Sequence, residues 1–227
     1  MKEVTKPLIV INFKAYPEGF GDKGVQLAKI AEKISDDLGI SIVICPPVTF
    51  LAKYAEMFNI PVFSQRVDNL VSGSSSGKVS VEMIKESGAC GTLINSSEDM
   101  INLTDLESIV RISRTYRLFT TVCTGNEAIS AAVTKLDPHA IAFESPELKE
   151  PGAGVSTVRP EFIQDHVKRI KLENPRVSPL CAAGIYSYSD VEKALKLGIE
   201  GILIASIFVQ AKDPYELLNS MAKCFIS

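Results

Sequence analysis

LIVINFK, from Leu8 to Lys14, is an uninterrupted apolar run that ends on an amide, an aromatic ring and a cation. Its β-branched residues follow one another without polar alternation, the pattern of a strand covered on both faces. A helical pattern follows from Lys23 to Leu38, with Val25, Leu27, Ala28, Ile30, Ala31 and Ile34 at turn spacing. Gly39 stands where a left-handed helix stop is usual. SIVICPP, from Ser41 to Pro47, then begins a second apolar run. Two buried strands joined by a helical crossover make a parallel unit.

The same unit recurs to the end of the chain. A helix from Thr49 to Phe58 precedes PVFSQRV, and SVEMIKESG precedes GTLINSS. A helix starting near Asn102 precedes LFTTVCTG, and NEAISAAVTKL precedes AIAFESP. A helix opening at Arg159-Pro160-Glu161 precedes VSPLCAAG. SYSDVEKALKLG precedes EGILIASIFV, and DPYELLNSMAKCF closes the series. Pro160 and Pro214 fit first-turn positions, Asp213 is a good N-cap, and Gly88 and Gly198 end helices as Gly39 does. Eight strands and eight helices in alternation predict an α/β fold, a single (β/α)8 barrel over residues 1–227, in preference to an open doubly wound sheet.

Composition restricts the function classes. A net charge of −3 with both signs interspersed carries no nucleic-acid footprint and no polybasic membrane patch. No apolar stretch approaches the roughly 20 residues of a membrane span, and the first apolar run reads as a buried strand and not a signal peptide. The five cysteines, Cys45, Cys90, Cys123, Cys181 and Cys224, are dispersed without a CxxC pair. That usage fits a reducing cytoplasm and argues against a metal site.

Chemistry in such a barrel gathers at the carboxyl ends of the strands. The polar residues there are Asn12 and Lys14; Gln65, Arg66 and Asp68; Asn95, Ser96, Ser97 and Glu98; Thr124 and Asn126; Glu144; and Ser206, with Gly184 after strand seven. Lys14 and Glu144 could polarise a carbonyl and take the proton beside it. Spacing alone favours the plainer reading of two rim charges, each paired with a neighbour.

Seven motifs narrow the choice. INFK at Ile11 to Lys14, INSSE at Ile94 to Glu98, FESPEL at Phe143 to Leu148, CAAGI at Cys181 to Ile185 and GILIAS at Gly201 to Ser206 resemble segments of the triosephosphate isomerases of short archaeal type. QRVD and SSSGK resemble the third-loop elements of the same family. The resemblance runs through the whole chain in the right order. It implies Glu144 as catalytic base, with Lys14 and the strand-four position Ser96 completing the catalytic set. It implies Asn12, Lys14, Glu98, Gly152, Gly184, Ala205 and Ser206 as substrate-binding residues. The family is a standard worked case of tuned proton transfer: dihydroxyacetone phosphate and glyceraldehyde 3-phosphate interconvert through an enediolate, without cofactor or metal. Partners implied are a small phosphorylated sugar and further copies of the chain, as a dimer or tetramer held by barrel-flank helices and the Val71 to Lys78 loop.

The sequence departs from that family at the strand-four histidine, which falls on Ser96. Serine donates one hydrogen bond but cannot shuttle a proton near neutral pH. Of the two histidines, His139 precedes strand six and His166 lies in helix six, so neither substitutes by position. The lid reads Lys149-Glu150-Pro151-Gly152 where Ile-Gly-Thr-Gly is common. A usual loop-seven glycine is Ala182, and a frequent one after Ser206 is Ile207. The expectation is an impaired isomerase, with a non-catalytic homologue or a barrel for another small phosphorylated carbonyl compound as alternatives.

Overall fold

The computed structural model describes residues 2–70, 73–144, 154–155 and 160–226. Eight parallel strands run β1 Leu8–Asn12, β2 Ser41–Cys45, β3 Phe63–Ser64, β4 Gly91–Ile94, β5 Phe119–Thr124, β6 Ala140–Phe143, β7 Ser178–Cys181 and β8 Gly201–Ile204. Their order in the sheet is β2-β1-β8-β7-β6-β5-β4-β3. A parallel bridge between Ile44 and Val62 joins β2 to the start of β3, so the sheet returns on itself as a barrel instead of staying open.

The strands read as continuous apolar runs because both faces are buried. Ile9, Ile11, Ile42 and Ile44 point outward against the helices, in one large apolar cluster. Leu8, Val10, Val43, Cys45, Leu93, Cys123 and Leu203 point inward and fill the barrel. All five cysteines are buried in the core and none forms a disulfide. They serve as small apolar fillers; burial pushes the Cys181 thiol up to about 12.

The outer ring is α1 Gly21–Leu38, α2 Leu51–Met57, α3 Val81–Glu86, α4 Leu103–Thr115, α5 Glu127–Thr134, α6 Pro160–Glu173, α7 Tyr188–Lys196, the single turn α8 Ser206–Val209, and α9 Pro214–Lys223. Side-chain caps fix where several of them begin. Ser80, Asn102, Asn126, Ser187 and Asp213 each accept from the backbone N–H three residues on, which satisfies an otherwise orphaned donor. Gly39 closes α1 at φ +65°, and Gly88 and Gly198 also take left-handed angles after α3 and α7. No helix among the described residues is long and apolar enough to cross a membrane.

Two stretches differ from the sequence expectation. EGILIASIFV is not one strand: β8 stops at Ile204 and the chain turns into α8. The helical turn buries Phe208 and Val209 and leaves Ser206 exposed, which an extended chain with period-two alternation would not do. PVFSQRV contributes only Phe63–Ser64 and the Val62 bridge, because beyond Ser64 the chain turns; Ser64 Oγ donates to the Arg66 carbonyl at 2.6 Å.

Candidate active site

The site begins with how β1 ends. Lys14 follows the strand at φ +47°, a left-handed angle that costs a residue with a Cβ about 1–2 kcal/mol. Three hydrogen bonds offset that cost. The Lys14 N–H donates to Asn12 Oδ1 at 2.9 Å. The Gln65 side-chain amide donates to the Lys14 carbonyl at 3.1 Å and to the Cys45 carbonyl at 2.9 Å. One glutamine thus ties the ends of β1 and β2 together, and the bend lifts the lysine side chain into the mouth of the barrel.

Strand four ends in a similar way. Asn95 sits at φ +60°, where asparagine is tolerated better than most residues. Its Nδ2 donates to the Cys123 carbonyl at 2.8 Å and its Oδ1 accepts from Ile101 N at 3.0 Å. The turn brings Ser96, 8% exposed, to the wall of the cavity. Two residues on, Glu98 reaches Lys14, with Nζ and Oε1 2.5 Å apart. Burial disfavours the Lys14 charge, but the hydrogen bond and charge of Glu98, with Tyr16 and Glu144 adding to them, raise its pKa above the usual lysine value. Lys14 is therefore an ammonium throughout the neutral range.

A cavity of about 500 Å3 gathers Asn12, Lys14, Ser96 and Glu98 with Tyr16, Gln65, Arg66 and Asp99. A second cavity, of about 210 Å3, lies on the other side of Lys14 and is lined by Gly184, Ala205, Ser206 and their neighbours. Glu144 follows β6 at the same mouth, its N–H bonded to the Thr124 carbonyl at 2.8 Å, close enough for its charge to act on Lys14. An ammonium, a carboxylate and a phosphate-sized recess therefore share one end of the barrel, an arrangement that suits proton abstraction beside a carbonyl in an anionic substrate. Gly152 and the Lys149 to Gly152 stretch lie outside the described residues, as does part of the Val71 to Lys78 loop.

Neither histidine reaches this mouth. His139 is at the amino-terminal end of β6, stacked on Phe119 with ring centroids 4.7 Å apart. His166 of α6 is buried against Phe143, also at 4.7 Å, so it is a core residue.

Several lining residues were not singled out by sequence reading. Tyr16 and Asp99 line the large cavity; their nearness to INFK and INSSE was the available signal. Gln65 stood among the strand-end polar residues without a role. Asp190 is a further case. Its buried carboxylate accepts from Ser187 Oγ at 2.8 Å and Tyr186 N at 3.1 Å. A methyl group on Gly154 would stand 2.6 Å from Asp190 Oδ1, and Val155 N donates to the Gly184 carbonyl at 2.8 Å. The chain just beyond residue 153 is thereby pinned to the loop after β7. The Ser187-x-x-Asp190 capping pattern was its trace in the sequence.

Known proteins match this description along nearly the whole chain. The family model described as triosephosphate isomerase matches residues 7–221. A triosephosphate isomerase of Methanocaldococcus jannaschii is 44% identical over 216 residues, covering 95% of this chain and 99% of that protein. One from Caldivirga maquilingensis is 41% identical over 217 residues, covering 96% of each. The crystal structure of triosephosphate isomerase from Bartonella henselae superposes with a TM-score of 0.73 over 98% of this chain and 100% of that one, at 18% identity, which supports the fold. With the fold, the motifs and relatives above 40% identity in agreement, the chain belongs to the triosephosphate isomerase family.

Proposed function

We propose that the chain, acting as one barrel domain, interconverts dihydroxyacetone phosphate and glyceraldehyde 3-phosphate, with a rate held down by serine at position 96. The observation that carries this reading is the sharing of one barrel mouth by Lys14, Glu144 and the recess beside Gly184, Ala205 and Ser206. Glu144 takes the proton from the carbon bearing the hydroxyl. Lys14, fixed as an ammonium, stabilises the negative oxygen of the enediolate. Return of the proton to the neighbouring carbon, with the hydroxyl proton passing by way of Glu144 or solvent to the former carbonyl oxygen, completes the exchange, so the atoms balance with no cofactor. Asn12 holds the Lys14 backbone and Glu98 holds its side chain. Gly184, Ala205 and Ser206 surround the phosphate, the usual place for one in this architecture. The compartment that goes with this reading is the cytoplasm, in keeping with five cysteines that form no disulfide.

Ser96 is where the rate is lost. It donates one hydrogen bond to an enediolate oxygen but moves no proton between the two oxygens near neutral pH. A positioned acid–base group is worth about 10²–10⁴ in rate. A coupled isomerase assay on the wild type and on Ser96→His tests the reading. The expected result is weak wild-type turnover and a gain in the variant. Wild-type kcat/KM at about 10⁸ M⁻¹s⁻¹, near the diffusional ceiling, would sink the idea of impairment.

The lack of any imidazole at this mouth favours one other reading, a barrel that binds triose phosphates without turning them over. It predicts tight binding of an unreactive enediolate analogue and no turnover in either protein. For assembly we propose a homo-oligomer, a dimer or tetramer. Met100 is 77% exposed and Leu103 59%, both at the entry to α4, and Ile129 of α5 is 44% exposed; together they make an apolar flank that a second copy would cover. A stable monomer by light scattering would reject it.

A further inference from the structure

The amino-terminal mouth of the barrel holds a cavity of about 390 Å3 lined by Lys6, Arg114, Phe119, Asp137, Pro138, His139 and Arg176. It is at the far end from the proposed chemistry and comparable in size to many small-ligand pockets. Three of its lining residues are cations and one is a carboxylate, so the lining carries a charge of +2, or +1 with Glu200, which pairs with Lys6 from outside the lining.

The carboxylate organises the cations. Asp137 Oδ2 accepts from Arg114 at 2.6 Å and from Arg176 at 3.2 Å, while Oδ1 accepts from Asn174 at 2.7 Å. Two guanidinium groups are drawn to one side of the cavity, and each has five N–H donors, most of them not used by Asp137. Lys6 Nζ is held beside them by the Arg176 carbonyl at 3.1 Å and by Glu200 at 3.2 Å.

His139 supplies a neutral donor. Its Nδ1 accepts the Thr120 N–H at 3.1 Å, so that nitrogen offers its lone pair and the ring proton resides on Nε2. Stacking on Phe119 fixes the ring plane. Two guanidinium forks, an ammonium and an imidazole N–H around one recess match the donor needs of a phosphate dianion, which arginine recognises bidentately.

We propose that this cavity is a second anion site, built to take a small phosphate monoester at the end of the barrel opposite the isomerase mouth. Its occupant neutralises the surplus positive charge and links the loops before β1, β5, β6 and β7.

Inorganic phosphate is the probe, with chloride at matched ionic strength as the control. The readout is the ring resonances of the two histidines, which suffice to separate the sites because His166 is buried in α6 and serves as the internal reference. The expected result is a saturable shift of the His139 Nε2 signal with His166 unmoved. Arg176→Gln, a change at a side chain 79% exposed, should weaken the apparent affinity about tenfold, the loss of one charge-assisted hydrogen bond. Lys14→Met, at the opposite mouth, should leave the His139 titration unchanged. A His139 response that does not saturate, that chloride reproduces, or that survives Arg176→Gln at full strength would overturn the proposal. So would its loss in Lys14→Met.

Discussion

The two walls of the large cavity are built by the same device and carry different chemistry. On one wall Lys14 follows β1 in a left-handed bend, held by Asn12 and Gln65. On the other, Asn95 follows β4 in a left-handed bend, held through Cys123 and Ile101. Both bends cost backbone energy and both are braced by side-chain amides, as strained positions near functional sites commonly are. The Lys14 wall ends in a charged group aimed at the cavity; the Ser96 wall ends in a short hydroxyl. What differs between them is a functional group, while the frame that would aim an imidazole is in place. If the rate is limited at position 96 as proposed, one side chain should restore it.

The largest expected effect tests the group that both walls serve. In the Ser96→His background, Glu144→Gln should lower kcat by about 10²–10⁴, the worth of a positioned general base. Unchanged turnover would remove Glu144 from the reaction and with it the proposed chemistry. Next in size is Ser96→His itself, expected to raise kcat/KM by about 10²-fold, the lower end for one acid–base group. Recovery stays incomplete if the Lys149 to Gly152 stretch serves the phosphate as the family resemblance implies, since proline has no N–H to donate and Glu150 adds a negative charge. A variant no faster than wild type would mean that the two walls differ in more than one side chain.

The brace on the Lys14 wall can also be broken. Gln65→Leu keeps the side-chain volume and leaves the Lys14 and Cys45 carbonyls without the donor they share. The Cys45 carbonyl keeps the Phe13 N–H at 3.0 Å and Lys14 is only half-buried, so the loss is that of ordinary hydrogen bonds, about 1 kcal/mol, readable as a lower urea midpoint. If Gln65 positions Lys14, kcat/KM falls about tenfold beyond that, and a Lys14→Met background abolishes the extra loss while the stability cost remains. Equal kinetic losses in both backgrounds would make Gln65 a structural residue only.

Much of this was legible in the sequence. The barrel followed from eight uninterrupted apolar runs, since only strands covered on both faces dispense with alternation. Asn12, Lys14, Ser96 and Glu98 were legible because they end such runs, and the structure brings all four to one cavity. Elements whose boundaries depend on tertiary context were less so. The run from Glu200 to Val209 is apolar throughout, and nothing local says that packing of Phe208 will turn its second half into a helix. Asp190 was hidden for a similar reason: its partners are a cap in its own helix and a glycine 36 residues earlier, and no periodicity reports contacts of that separation.

The smallest expected effect separates the two ends of the barrel by pH. At the amino-terminal end, burial works against the Asp137 carboxylate, but Asn174 and the two arginines outweigh it and hold its pKa below the ordinary value. A carboxyl group depressed in the folded state stabilises it above the unfolded pKa of about 3.9, and that contribution is lost as pH falls through the folded value. Lys14 has the opposite sign: its pKa is raised, so its contribution is constant in acid and is lost only when pH rises past the lysine range. Acid unfolding therefore reports Asp137, together with Glu200 and Asp68, whose carboxyl groups are also depressed, and is blind to Lys14. Asp137→Asn isolates the charge, because the residue sits at φ +60°, where asparagine is equally at home. The partner arginines are largely exposed, so solvent screening limits the expected loss at neutral pH to about 1 kcal/mol. The difference from wild type should shrink to nothing as the medium is acidified below the folded pKa. Urea unfolding of both proteins at neutral and acid pH checks it. A difference that persisted in acid would assign the Asp137 contribution to packing and hydrogen bonding of a neutral group, and not to its charge.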